Sequence, residues 1–194
     1  MKRTFLTHVW IITVTLAIFS ACSENSGTQQ SSAEKSPESS QSGILAYTPH
    51  EAWARQTPST RMRKDEYILP AHDSENDAEL TVAHFPGMGG GVGANIERWR
   101  KQFEKEDGAV VADTAKIVVN EIPVTLVYLE GVYLKSQNPA MMQGPKDRMP
   151  DYALMAAIAE TGQGPWFFKA IGPRETIRNW RPAFEIFAQS FRLE

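Results

Sequence analysis

Tyr152-Ala-Leu-Met-Ala-Ala-Ile-Ala-Glu160, then Thr161-Gly-Gln-Gly-Pro165, then Trp166-Phe-Phe-Lys-Ala-Ile171 is the stretch that decides the fold class. Two apolar segments of strand length flank a connection holding two glycines and a proline, residues that favour tight turns, which predicts an antiparallel hairpin. Working outward, Met62 to Leu69 reads as a strand ended by Pro70, and Glu79 to Phe85 alternates as a half-buried strand does. The polar run from His72 to Asp77 joins these two into a second hairpin. Ala115 to Val119 and Val124 to Leu134 form a third pair, turning at Asn120-Glu121. Lys135 to Pro150, with three prolines and Met141-Met142, reads as an irregular excursion over the surface or across the sheet.

Two helices complete the pattern. Asn95 is read as the cap of one in which Ile96, Trp99 and Phe103 fall at i, i+3 and i+7. Pro173 suits the first turn of a closing helix whose Ile177, Trp180, Phe184, Phe187 and Phe191 recur at helical spacing. Pro182 predicts a kink or two short helices near Arg181. The order β-β-α-β-β-β-β-α predicts an α+β fold, an antiparallel sheet of about six strands covered by two amphipathic helices.

The amino terminus reads as an address. Lys2 and Arg3 precede a mostly apolar run from Phe5 to Phe19, and Ser20-Ala21 stand before Cys22, the chain's one cysteine. This is the pattern of a lipoprotein signal peptide over residues 1–21, with lipidation of Cys22. A spanning helix would need about 20 apolar residues, and this run is shorter and rich in Thr. Residues 22–43 are dominated by Ser, Gln, Glu, Gly and Pro, a composition that cannot offset the entropy of ordering and so predicts a disordered tether of roughly 25 Å. Residues 44–194 are then a single globular domain, held by packing alone because no cysteine follows Cys22. The expected location is the cell envelope, on the membrane through the N-terminal lipid. In a Gram-negative source, Ser23 points to the outer membrane facing the periplasm. The net charge of −3 argues against nucleic acid as a partner.

Several short motifs carry a resemblance. Trp53 with Thr57-Pro58-Ser59 and Met62-Arg63 form the first, and Gly89-Gly90-Gly91 with Asn95-Ile96-Glu97-Arg98-Trp99 and Gln102-Phe103 the second. The third is Gly164-Pro165-Trp166-Phe167-Phe168-Lys169 with Gly172-Pro173. Together they resemble an uncharacterised group of small bacterial proteins of planctomycete type. The element order and closing helix resemble the Mog1/PsbP-like fold. The resemblance implies a fold and no activity.

Chemistry has few places to reside. Gly89-x-Gly91-x-x-Ala94 formally satisfies a relaxed dinucleotide fingerprint, but the preceding strand belongs to a hairpin and no acidic residue ends a second strand about 20 residues on. What survives is an anion site at the helix start, built from the backbone of Gly90, Gly91 and Gly93 with Arg98, and with Lys169 or Arg174 if the fold brings them there. The competing reading is glycines that permit a tight strand-to-helix turn. Asp73-x-Glu75-x-Asp77-x-Glu79 spaces acids like a calcium loop, yet Ala78 replaces the turn glycine and His84 the closing glutamate, which leaves a solvated turn. His50, His72 and His84 make no metal-ligand pair, and no nucleophile elbow occurs. Catalytic residues, a metal and a cofactor are therefore not expected. The aromatic residues are assigned to the core, with Trp53, Met141 and Met142 as candidates for an exposed partner surface. The expected function is a non-catalytic binding or assembly module that meets an envelope protein; the alternative is a small-anion-binding lipoprotein using the glycine turn.

Overall fold

The computed structural model describes residues 43–71, 76–87, 89–105, 108–138 and 144–194. The elements run in the order β1 (Leu45–Ala46), β2 (Ala54–Gln56), β3 (Arg63–Leu69), β4 (Ala78–His84), α1 (Val92–Arg100) and β5 (Phe103–Glu104). They continue through β6 (Asp113–Val119), β7 (Ile122–Ser136), β8 (Lys146–Thr161), β9 (Gly164–Pro173), α2 (Arg174–Gln189) and β10 (Arg192–Leu193). An eight-stranded antiparallel sheet has the order β2-β3-β4-β9-β8-β7-β5, with β6 also paired to β7, while β1 and β10 form a separate two-stranded pair. The α+β class and antiparallel sheet are as read from the sequence. The sheet has more strands than expected because β2 and β5 are only two or three residues long and carry no readable period.

The deciding hairpin is β8–β9, in register from Tyr152↔Pro173 to Thr161↔Gly164. Its turn is tight because Gly164 has φ +108°, where a Cβ would come 2.6 Å from the Phe85 carbonyl oxygen. Ala153 through Ala159 are all buried, since β8 is covered on both faces. Ala153, Met155, Ala157 and Ala159 meet Ile177, Trp180, Phe184 and Phe187 of α2. Leu154, Ala156 and Ile158 join Trp99 of α1 and Phe167 on the opposite face. Small residues on the α2 side let a helix rich in aromatic side chains lie close to the sheet. Ser39–Glu194 form one compact unit whose two apolar clusters close among its own residues, so this part carries what it needs to fold alone.

Three local expectations are corrected. Residues 135–150 are not irregular throughout: β7 and β8 continue outward until Ser136 pairs with Lys146. A bulge at Gly131/Tyr133, with Asp151 at φ +55°, lets Pro150 remain in the strand without a ladder donor. Met141 and Met142 lie outside the described residues. Pro182 does not divide α2, which is continuous. Pro182 faces solvent while Trp180 and Phe184 on either side of it are buried, so packing holds the helix through the missing hydrogen bond. Pro173 caps α2 rather than opening its first turn.

The start of α1 also differs. Its cap is Gly91, and Asn95 sits buried within the first turn, where Nδ2 donates to the carbonyls of Gly89 (2.9 Å) and Gly91 (3.0 Å). Phe103 lies beyond the helix, in β5 opposite Tyr133. Trp53 is 5% exposed and packs edge-on against Trp180 and Phe187, which makes it core rather than partner surface. Gly90 has φ +69°, and the nearest atom to an added Cβ is 3.7 Å away, so its requirement is conformational rather than steric. Gly90→Val is expected to cost at least about 1–2 kcal/mol, read from the urea midpoint. An unchanged midpoint would mean the turn accommodates a branched residue freely.

Among the described residues no helix is long and apolar enough to cross a membrane.

Candidate functional site

Strand register brings Glu66, Thr81, Lys169, Ala156 and Val127 into one row across β3, β4, β9, β8 and β7. Directly paired residues share a face, and this row lies on the α1 side. Because α1 packs against β5 and β7, it leaves the β3–β4–β9 part of that face open. The neighbouring row is Arg63, Ala83 and Phe167. A bulge between Arg63 and Asp65 is what places Arg63 on the same face as Glu66, three residues on.

The open part of the face is a groove of about 320 Å³ whose charged lining is Arg63, Arg98 and Lys169, with no carboxylate among the described lining residues. Met62, Phe85, Trp99 and Phe167 form its apolar wall. Beyond Lys169 the surface continues into a hollow of about 210 Å³ that also contains Arg63 and Lys169 and is bounded by Asp77, Glu79, Tyr133 and Lys135. Asp77 and Glu79 therefore lie beyond Lys169, while Glu66, in the same row as Thr81 and Lys169, sits beneath Arg63 and outside the groove lining.

The cations differ in how they are held. Arg63 Nη1 donates to Glu66 Oε1 and to Glu79 Oε1, both at 2.7 Å. Glu66 is buried, and Oε1 also accepts from the Ser59 amide at 2.9 Å and hydroxyl at 2.8 Å. Burial opposes the charge on Glu66, but these donors together hold its carboxyl below the usual carboxylate range. Arg98 Nη1 donates to Asn95 Oδ1 at 2.9 Å, so the amide of Asn95 links Arg98 to the glycine carbonyls. Lys169 has no ion-pair partner among the described residues. Burial, reinforced by the charges of Arg63 and Arg98 and only partly opposed by Glu79, lowers its ammonium to about 8.

Of the site residues expected from the sequence, Arg98 lines the groove and Lys169 joins it. Gly90, Gly91 and Gly93 do not line it; the carbonyls of Gly90 and Gly91 turn toward Asn95. Arg174 lies elsewhere, at the start of α2, bonded to Asp151. Arg63 was not anticipated. Lys169 did carry a signal, as the one charge in Trp166–Ile171, alternating with Phe167 and Ile171.

Other candidates are structurally engaged. Asp77 Oδ1 accepts from the Ala71 amide at 2.8 Å, and Glu79 is taken by Arg63. Among the described residues no three His, Cys, Asp or Glu side chains are grouped to hold a metal. His84 stacks on Trp166 at 4.4 Å, and His50 lies against Trp53 and Trp180. A broader cleft of about 920 Å³ runs past Tyr47 and Trp166, but there Tyr47 donates to Asp65, which also accepts from Arg55 Nε at 2.9 Å.

The protein is thus an α+β protein with an eight-stranded antiparallel sheet carrying a helix on each face, a separate β1–β10 pair, and a groove walled by cations and apolar side chains beside the shorter helix. No family model matches the chain. No curated protein matches it. Among solved structures it is similar to a protein of unknown function, PA94, from Pseudomonas aeruginosa, at 14% identity and TM-score 0.49, covering 78% of this chain and 97% of that one. It is also similar to cyanobacterial PsbP (CyanoP) from Synechocystis sp. PCC 6803, at 7% identity and TM-score 0.45, covering 83% of this chain and 99% of that one. These likenesses concern the fold alone and carry no argument about activity.

Proposed function

We propose that this chain is a non-catalytic binding module of the cell envelope, held at the membrane by a lipid on Cys22, and that its α1-side groove receives an anionic ligand. The observation that carries the reading is the groove lining: Arg98 and Lys169 stand in it without a carboxylate, Arg63 beside them being held by Glu66 and Glu79, and the Lys169 ammonium has no ion-pair partner among the described residues. An unpaired, half-buried cation is partly desolvated and gains from an incoming anion. Relative to the sequence-based alternative, the anion moves from the glycine backbone to the sheet face, with Arg98 retained.

Thermal-shift titration of residues 39–194 with sodium sulfate, against sodium chloride at equal ionic strength, tests the ligand class. A ligand that binds only the folded state stabilises by RT ln(1 + [L]/Kd), about 2.7 kcal/mol at a hundredfold excess over Kd, so a saturating rise in Tm is expected. A flat response to sulfate, phosphate and acetate would overturn the anion reading and favour an envelope protein as partner. For the anchor, Cys22→Ser is expected to move the protein from the membrane to the soluble fraction. Retention of that variant on membranes at high salt would remove lipidation from the account.

A further inference from the structure

The groove is more specific than a site for any anion. Its lining joins Arg98, Lys169 and the ion-paired Arg63 to the apolar side chains of Met62, Phe85, Trp99 and Phe167. Met62 is 65% exposed, whereas Trp99 and Phe167 are nearly covered, so the wall is an apolar floor with one adaptable side chain free to close over a guest. A bare phosphate or sulfate would engage the cations and leave this wall wet. Polarity is also directional: Asp77 and Glu79 lie beyond Lys169, and Glu66 is taken up by Arg63 and Ser59, so the stretch between Lys169 and Arg98 on the α1 side is the part of the face without a carboxylate. Arg98 spends Nη1 on Asn95 and retains other guanidinium donors. At about 320 Å³ the groove is at the small end of the range that holds small-molecule ligands.

We infer that the groove takes a small amphiphilic anion, a carboxylate or sulfonate on an apolar body, with its head between Lys169 and Arg98 and its body against Met62, Phe85 and Trp99. This inference rests on the anion-binding reading proposed above and adds the chemistry of the rest of the ligand. Neither part of such a molecule suffices alone. The head replaces the missing partner of Lys169, and the body removes the exposed face of Met62 from water.

Fluorescence titration of residues 39–194 with 8-anilinonaphthalene-1-sulfonate tests it, with N-phenyl-1-naphthylamine as the same body lacking the sulfonate and inorganic sulfate as a head lacking the body. The expected result is one sulfonate-probe site at least tenfold tighter than either the neutral probe or sulfate. Lys169→Met and, independently, Arg98→Gln at an exposed position should each lower the affinity for the sulfonate probe toward that of the neutral one. Met62→Ser, also exposed, should weaken the sulfonate probe severalfold and leave sulfate unchanged. Sulfate binding as tightly as the sulfonate probe would overturn the amphiphile while leaving the anion reading intact. Equal affinity for the charged and neutral probes, or sulfonate binding indifferent to both Lys169→Met and Arg98→Gln, would overturn the inference. Failure of every anion in the panel would remove the reading beneath it.

Discussion

Phe168→Ala is expected to lower the stability of the domain by about 3–5 kcal/mol, the range for removing a large aromatic side chain from a core that cannot collapse around the gap. Phe168 is wholly buried at the centre of β9. It stacks on Phe191 at 4.4 Å between ring centroids and meets Phe187 and Tyr47 edge-on at 5.4 and 5.0 Å. These partners come from α2, the chain beyond it, and the segment leading out of β1, each held by further contacts, so none can move in to fill the space. Domains of this size have total stabilities of about 5–15 kcal/mol and lose roughly 2–4 °C of Tm per kcal/mol, which puts the expected drop at about 10 °C. Urea unfolding checks it, with a lower midpoint and an unchanged slope. The contrast is Ile186 of α2, 68% exposed, where truncation to alanine should stay within about 0.5 kcal/mol. A loss below about 1 kcal/mol for Phe168→Ala would mean that the aromatic cluster is not what fastens α2 to the sheet.

Lys169→Met should act in opposite directions on binding and stability. Binding of sulfate should fall by roughly tenfold to a hundredfold, the equivalent of one charge-assisted hydrogen bond of about 1.5–3 kcal/mol. Stability without ligand should rise at pH 7, because methionine keeps most of the volume and removes an ammonium that burial and two guanidinium groups disfavour. A tenfold change in a proton equilibrium corresponds to about 1.4 kcal/mol, so the fall from 10.5 to about 8 sets a ceiling of about 3.5 kcal/mol, which solvent screening at the partly exposed Lys169 reduces to a gain on the order of 2 kcal/mol. The pH dependence has a definite sign. The folded-state value of about 8 lies below the 10.5 of an ordinary lysine, so the unfolded chain holds more protons between these limits and wild-type stability rises with pH across that window. The variant lacks this rise, and its advantage narrows above pH 8. Sulfate affinity of the wild type should decline over the same interval as the ammonium is lost. Chemical denaturation at pH 7 and pH 9.5, with and without sulfate, measures all three effects. Loss of stability in Lys169→Met at both pH values would show that the lysine is a structural prop rather than a waiting partner for an anion.

The three hairpins were legible because each joins two periodic segments through turn residues, and both signals are local. Asn120-Glu121 turns at positive φ in both residues, as a two-residue hairpin requires. What escaped was either too short to have a period, as in β2, β5 and the β1–β10 pair, or set by packing at a distance. Pro182 stays within one helix because the neighbouring aromatic residues are buried, and Asn95 leaves the cap position because the glycine carbonyls offer its amide better partners. The candidate site was half legible for a related reason. Arg98 follows from its place beside the glycine turn, but strict strand alternation would put Arg63 and Glu66 on opposite faces, and only the bulge between Arg63 and Asp65 reunites them.

The sequence by itself determined that the chain is α+β with an antiparallel sheet, that α2 presents an aromatic stripe, and that Arg98 stands beside the glycine turn. Those properties are written in periods of two and 3.6 residues and in composition, which neighbouring residues decide among themselves. The tertiary structure alone decided that Arg63, Arg98 and Lys169 share one groove and that no carboxylate lines it. That arrangement depends on strand register, on one bulge, and on how far α1 extends over the sheet, so it exists only once segments more than thirty residues apart have packed.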